Sequence, residues 1–339
     1  MVATAVRDAS LPLPLLVTGI TGVAGFNALH YFQRRYPGQV IGIRPVRTAR
    51  LRGQGIVPLD AENTRGLREL FDHYGFRSVL NCAGNCALKS CELEPAMARL
   101  VNVATAQAIG SNVRAHGTRL VHLSTDLVFS GDRPGGYTET DPVDPVTVYG
   151  KTMAEAEQLL TDLVPEAALL RISLPMGASF NHHAGAIDWI QSRFRNGRPA
   201  TLYFDEIRSC TYVQDLSRVG EIFLAGGQQG LFHVGGPRPL TLYQIGQIVN
   251  RVGGFDADLL RGCPRREAGP LPPRAGNVTM CSDKLQQLLG YDPFRAWPAS
   301  PKLMPSDLNW HRWRGADEAG SVQHIRELLY QYRAECCPA

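Results

Sequence analysis

Leu13-Pro14-Leu15-Leu16-Val17-Thr18-Gly19-Ile20-Thr21-Gly22-Val23-Ala24-Gly25 decides the fold. A short apolar run ends in three glycines spaced three apart, and a helix-like stretch follows over 26–36. A strand feeding a tight turn and then a helix makes a pyrophosphate site. Gly19 permits the turn, Gly22 lets the backbone approach the phosphates, and Gly25 lets helix and strand pack closely, while the helix N-terminus supplies oriented N–H groups. A glycine-rich loop without a ligand is the plainer reading. The order of strand, turn and helix favours dinucleotide binding, with Gly19, Thr21, Gly22, Val23 and Ala24 as candidate cofactor-binding residues.

A second strand reads over 39–43. At its end a dinucleotide site tests the ribose 2′ position, where an acid accepts from the hydroxyl of NAD and arginine suits a 2′-phosphate. The chain offers Arg44, Arg47 and Arg50 there, with no acid before Asp60. NADP(H) is therefore expected over NAD(H), against the alternative of a solvated basic loop. Arg44, Arg47 and Asp60 join the candidate cofactor contacts. So do Cys82, Ala83 and Gly84, small residues that end a strand over 78–84 and let a cofactor lie over the sheet edge.

The remaining pattern alternates strands and helices. Strands read over 55–60, 118–126 and 167–173, and helices over 64–74, 95–115 and 149–163. Residues 130–147 are a Gly/Pro/Asp-rich loop. This is an α/β doubly wound parallel sheet, a Rossmann fold. Beyond residue 173 the rhythm loosens. A helix reads over 185–196, a returning strand over 231–236, helices over 240–252 and 282–289, and a last helix near 322–333. The expected division is an NADP-binding domain over 1–175, with the returning strand added, a substrate lobe over 176–300 above the sheet's carboxyl edge, and a C-terminal extension over 301–339.

The chain has 339 residues, 44% hydrophobic and 19% charged, with a net charge of +4. That is ordinary for a globular protein with a sizeable core. The charge forms no basic tract, so no nucleic-acid partner is expected. No apolar stretch reaches membrane-span length, and the first ten residues lack the pattern of a secretory leader. The eight cysteines fall in no disulfide framework, and Cys82, Cys86 and Cys91 lack zinc-ligand spacing. No metal site is expected, Cys336 and Cys337 read as part of a mobile tail, and a reducing cytoplasm fits.

With these residues placed, the chain resembles the extended short-chain dehydrogenase/reductases, particularly the dTDP-4-dehydrorhamnose reductases and the regulatory β subunit of methionine adenosyltransferase. The segments that carry the likeness are 18–25, Asn81-Cys82-Ala83-Gly84, Leu123-Ser124-Thr125-Asp126 through Gly131, Val148-Tyr149-Gly150-Lys151-Thr152, Thr211-Tyr212-Val213-Gln214-Asp215-Leu216 and 231–236. The last thirty or so residues lie outside it. The resemblance implies hydride delivery from NADPH to a keto group of a nucleotide-activated sugar. Tyr149 is then the proton donor, Thr125 holds the carbonyl, and Arg208 contacts the substrate diphosphate. A homodimer is the assembly considered.

One position departs from that pattern. The family's lysine, four residues after the tyrosine, is here Met153. Lys151 sits two residues from Tyr149, about 200° round a helix, and points away. A free tyrosine titrates near 10, so it rests in the protonated state that reduction needs, but only about one in a thousand is ionised at pH 7. Without the cation, the tyrosinate left after donation is costlier by a few kcal/mol. Leu127, where the rhamnose reductases carry an aromatic, and the run Asn85-Cys86-Ala87-Leu88-Lys89-Ser90 also differ from the family. Lys89 could approach the substrate or the space left by the missing lysine. Asn102 reads as a helix polar residue, and His182 and His183 as solvated loop residues. A reductase, a cofactor-bound regulatory protein and a sugar-nucleotide epimerase or dehydratase all stay open, with the reductase favoured.

Overall fold

The computed structural model describes residues 10–182, 184–313 and 320–331. Strand β1 (Leu15–Val17) feeds helix α1 (Val23–Arg35), followed by β2 (Val40–Arg44), β3 (Ile56–Pro58), α2 (Thr64–Tyr74) and β4 (Ser78–Asn81). Two short helices, α3 (Leu88–Leu93) and α4 (Pro95–Arg99), then a π-helical turn (Leu100–Ala104) and α5 (Thr105–His116), lead to β5 (Arg119–Thr125). After a long loop come α6 (Val148–Leu163) and β6 (Ala168–Ile172). The rest comprises β7 (Pro175–Met176), α7 (Ala186–Arg195), β8 (Ala200–Tyr203), β9 (Ile207–Ser209), β10 (Thr211–Tyr212), α8 (Val213–Gly226), β11 (Gly230–Val234), β12 (Pro239–Thr241), α9 (Leu242–Gly253), β13 (Leu260–Cys263), α10 (Asp283–Leu289) and α11 (Val322–Ile325).

Seven strands form one parallel sheet in the order β11-β6-β5-β4-β1-β2-β3. This is the doubly wound Rossmann arrangement. Leu15 lies opposite Val40 on one side and Ser78 on the other, so the strand order reverses at β1 and β4 and leaves a crevice beyond their carboxyl ends. Both faces are covered, and the strands accordingly read as continuous apolar runs. Leu15 and Val17 pack with Leu29, Phe32 and Phe223 beneath α1 and α8, while Leu16 turns to Leu67, Phe71, Ile109 and Leu160 beneath α2, α5 and α6.

Local signals set several boundaries. Asn63 caps α2 by accepting from Gly66 N, and Gly75 ends it in the left-handed conformation (φ 60°). The single helix expected over 95–115 is instead α4, a π turn and α5. A separate α3 precedes them, because Glu94 leaves the helical conformation (φ −132°, ψ 68°) ahead of Pro95 and breaks the run. The last helix is described over 322–330, ending in a π turn at extended Gln331; residues 332 and 333 of that expected helix, and Cys336 and Cys337, lie outside the described residues.

The loose second half has its own core. Ile187, Ile190 and Phe194 of α7 meet Tyr243, Ile245 and Ile248 of α9, with Tyr212 and Trp297 fully buried between them. A capping box, Thr241 with Gln244, starts α9. Among the described residues, no helix is long and apolar enough to cross a membrane.

Candidate active site

The glycine turn has the geometry of a phosphate cradle. Gly19 is left-handed (φ 63°), and a Cβ there would stand 2.1 Å from the carbonyl oxygen of Cys82. A Cβ on Gly25 would stand 2.4 Å from the carbonyl oxygen of Gly19, so helix and strand touch through that glycine. Gly22 differs: a Cβ there would meet only the Gly19 carbonyl oxygen, at 3.5 Å, and faces open space. It is the N-cap of α1 and provides no side-chain cap, so the first-turn amides lack a side-chain acceptor. A dinucleotide pyrophosphate fits these donors. The wall opposite is pinned by Thr18, whose hydroxyl donates to Asn81 Oδ1 (2.6 Å) and accepts from Cys82 N (3.2 Å). Cys82 and Ala83 are half-buried and Gly84 is exposed beside this turn.

Beyond β2 the arginines separate. Arg44 is buried, and its Nη1 donates to the Pro45 and Val46 carbonyls (3.0 and 3.1 Å), with its Nε left unpartnered. Arg47 and Arg50 are exposed. Asp60 Oδ1 accepts from Val46 N at 3.0 Å and so holds the turn that carries them.

Tyr149 and Thr125 meet at the carboxyl end of β5; the Thr125 hydroxyl accepts from Leu127 N (3.2 Å), donates to Asp126 Oδ1 (3.3 Å) and stands near enough to the phenol to act on its pKa. Their meeting is a backbone effect. Thr147 caps α6 by accepting from Gly150 N, and a Cβ on Gly150 would stand 2.1 Å from the Leu127 carbonyl oxygen. Only glycine lets the first turn of α6 lie against the 126–128 turn, which sets the preceding tyrosine beside the threonine. Burial pushes the Tyr149 phenol well above its ordinary range, and the nearby Cys86 thiol pushes it further; Thr125 works the other way, Asp126 raises it, and Arg208 lowers it.

Met153 stands on the same face of α6, one turn on. It is 2% exposed and packs with Leu127, Phe129 and Tyr149, and its sulfur lies 3.8 Å from where a Cβ on Gly84 would be. An apolar thioether therefore fills the wall between the tyrosine and Gly84. Lys151 is exposed, as the helical geometry required. Lys89 is exposed as well, and it is its neighbour Leu88 that reaches the Met153 cluster.

Arg208 does not stand as a free cation. It is 6% exposed; its Nε donates to Asp126 Oδ2 (2.8 Å), its Nη2 to Asp126 Oδ1 (2.5 Å), and its Nη1 lies 3.7 Å from Glu206. Ser173 also donates to Asp126 (2.6 Å). The pair ties the sheet to the second lobe directly beside the tyrosine, because Asp126 follows β5 and Arg208 lies in β9. His182 is exposed at a left-handed φ of 52°, and His183 lies outside the described residues. Among the described residues no cluster of three His, Cys, Asp or Glu is placed to hold a metal.

Two supports escaped sequence reasoning. Asn102, in the π turn, accepts from Asn85 N (2.6 Å) and donates to Thr152 Oγ (2.8 Å), which donates to the Tyr149 carbonyl (2.9 Å). It joins the loop after β4 to the tyrosine's turn. Glu157, one turn beyond Met153, takes Arg171 Nε and Nη2 (2.9 and 2.7 Å) and the Ser124 hydroxyl in a buried pair under β5. The only available signal was a charge at an inward helical position, Glu157 falling four residues after Met153.

A model of the RmlD substrate binding domain matches residues 13–307. The chain belongs to the RmlD substrate binding domain family. The dTDP-4-dehydrorhamnose reductase of Aggregatibacter actinomycetemcomitans is 27% identical over 246 residues, 69% of this chain and 83% of that protein. Methionine adenosyltransferase 2 subunit beta of Xenopus tropicalis is 26% identical over 298 residues, 84% of this chain and 87% of that one. The crystal structure of a dTDP-4-dehydrorhamnose reductase from Bacillus anthracis in complex with NADP matches with a TM-score of 0.73 at 20% identity, over 84% of this chain and 95% of that one. The likeness to extended short-chain dehydrogenase/reductases and the Rossmann fold both stand, and the relatives named here include dTDP-sugar reductases.

Proposed function

We propose that this RmlD-family chain is an NADPH-dependent reductase of a keto group on a nucleotide-activated sugar. The observation that carries the reading is the placement of the Tyr149 phenol beside Thr125 at the carboxyl end of β5. Bound on the α1 turn, NADPH supplies the hydride. Thr125 donates a hydrogen bond to the substrate carbonyl, and Tyr149 gives its proton to the same oxygen as charge develops there. With Nε and Nη2 of Arg208 held by Asp126, a substrate phosphate would meet Nη1, in competition with Glu206 at 3.7 Å. Cys82, Ala83 and Gly84 border the nicotinamide side. The test is NADPH consumption against a panel of 4-keto-6-deoxy nucleotide sugars; no turnover with any of them sinks the reading.

Met153 favours a second reading, a nucleotide-holding regulatory subunit like the named β-subunit relatives. It predicts NADP(H) binding without turnover and a stable complex with a partner enzyme.

The cofactor preference has its own test. Arg47, exposed beside buried Arg44, is the side chain free to meet a 2′-phosphate. A hydrogen bond between charged groups contributes about 1.5–3 kcal/mol. Arg47→Ala should therefore raise the KM or Kd for NADPH by about 10–100-fold and leave NADH nearly unchanged. Equal losses for both nucleotides would assign the arginine elsewhere.

A further inference from the structure

The family match ends at residue 307, yet the chain beyond it is built into the core. Ile325 and Leu329 are fully buried among Tyr212, Trp297 and Met176. Leu329 O accepts from Trp297 Nε1 (2.9 Å) and Leu328 O from the Tyr212 hydroxyl (3.2 Å). The next residue, Tyr330, reaches further inward. Its hydroxyl donates to Asp188 Oδ1 and accepts from Gln191 Nε2.

Asp188 is fully buried at the start of α7, and its other oxygen, Oδ2, takes the backbone N–H of Ser179 (2.8 Å) and the Ser179 hydroxyl. Ser179 belongs to the segment that leaves β7, and that segment lies on the first turns of α1. Asn27 Nδ2 bridges the carbonyls of Val23 (2.8 Å) and Ala178 (2.7 Å). A Cβ on Gly185 would stand 2.5 Å from a methyl of Val23, and one on Gly177 3.2 Å from Asn27. Val23 is the first residue of the helix whose N-terminus forms the phosphate cradle.

A continuous path thus runs from Tyr330 through Asp188 and Ser179 to the wall of the dinucleotide site. We infer that Tyr330, in the C-terminal extension outside the family match, is a positioning residue for the cofactor: it fixes Asp188, which holds Ser179 and, through residues 177–179, the wall of the α1 N-terminus. The inference rests on the dinucleotide reading of that terminus. Its physical basis is that Asp188 has two oxygens and each end of the path uses one. Removing the Tyr330 hydroxyl leaves Asp188 Oδ1 with Gln191 Nε2 (3.0 Å) as its one remaining side-chain donor among the described residues, and the ties of the carboxylate to Ser179 then rearrange.

Tyr330→Phe and Ser179→Ala each remove one hydroxyl and keep the surrounding packing. NADPH binding by fluorescence titration, well below the melting temperature, should weaken about 5–10-fold in Tyr330→Phe, the scale of one lost hydrogen bond, and at least as much in Ser179→Ala, whose hydroxyl also donates to Asn181 Oδ1 (3.2 Å) and accepts from Ala184 N (3.2 Å). The double variant should be no weaker than the worse single, because both act through Asp188. Amide exchange over 177–182 should quicken in both. An unchanged Kd in folded Tyr330→Phe overturns the inference, even if the loop exchanges faster. If that variant does not fold, Ser179→Ala decides by the same readout. A wild-type chain that binds neither NADPH nor NADH overturns the dinucleotide reading and this inference together, whereas normal wild-type binding with an unmoved variant Kd overturns the inference alone.

Discussion

Tyr149→Phe should lower turnover of a keto nucleotide sugar by about 10²–10⁴-fold, the usual range for removing a positioned general acid, while NADPH binds nearly as before. The ring stays in the Met153 cluster and only the hydroxyl that meets Thr125 is lost. The pH profile carries a second signature. Reduction needs the protonated phenol, and burial holds its pKa above the ordinary value near 10. The active form is therefore present at every pH below that shifted value and is lost only as pH rises through it. The kcat/KM of the wild type should be flat from about pH 6 to 10 as far as this group is concerned. Stopped-flow or steady-state NADPH oxidation measures both. Turnover that survives intact in Tyr149→Phe would remove the tyrosine from the mechanism.

Met153→Lys has the second large expected effect, and in the opposite direction. A lysine amine in that place would stand beside the phenol and Gly84. At an effective dielectric of about 20, a charge some 4–5 Å from the developing tyrosinate is worth about 3–4 kcal/mol. Burying the lysine offsets part of this by lowering its own pKa. A net gain of about 10–100-fold in reductive kcat is the expected result, together with an alkaline limb moved down into the measurable range. The same charge costs stability in the ligand-free protein, because the pocket around residue 153 is apolar, so the melting temperature should fall. Single-turnover rates at saturating NADPH give the gain directly. A folded variant with lower turnover would mean that the site works through its apolar wall. A silent wild type awakened by the lysine would mean that methionine is what holds the chain inactive.

The fold was legible where local chemistry dictates it. Each of Gly19, Gly22 and Gly25 meets a separate steric demand within a few residues of chain, and the α2 span 64–74 is bracketed by Asn63 and Gly75. The helix expected over 95–115 does begin at Pro95; what its sequence leaves unsignalled is the π turn at Leu100–Ala104 within it and the short α3 before it. The strands of the second lobe run two to four residues, too short for an alternating pattern to register. In the site, Tyr149 and Thr125 could be named from their motifs, but not what surrounds them. Arg208 and Asp126 are 82 residues apart, and Tyr330 and Asp188 are 142 apart. Such pairings are decided by the closed fold and leave no mark on spacing.

The uncapped N-terminus of α1 has a thermodynamic consequence. A helix whose first-turn amides find no side-chain acceptor is incomplete by itself, and a pyrophosphate bound there would complete it. Nucleotide occupancy is then linked to global folding. With the cofactor at 100 times its Kd, unfolding should cost about 2.7 kcal/mol more than in its absence. The melting temperature should climb steadily with the logarithm of NADPH concentration, whether or not the chain turns over a substrate. A melting curve indifferent to NADPH would leave the glycine turn without a ligand.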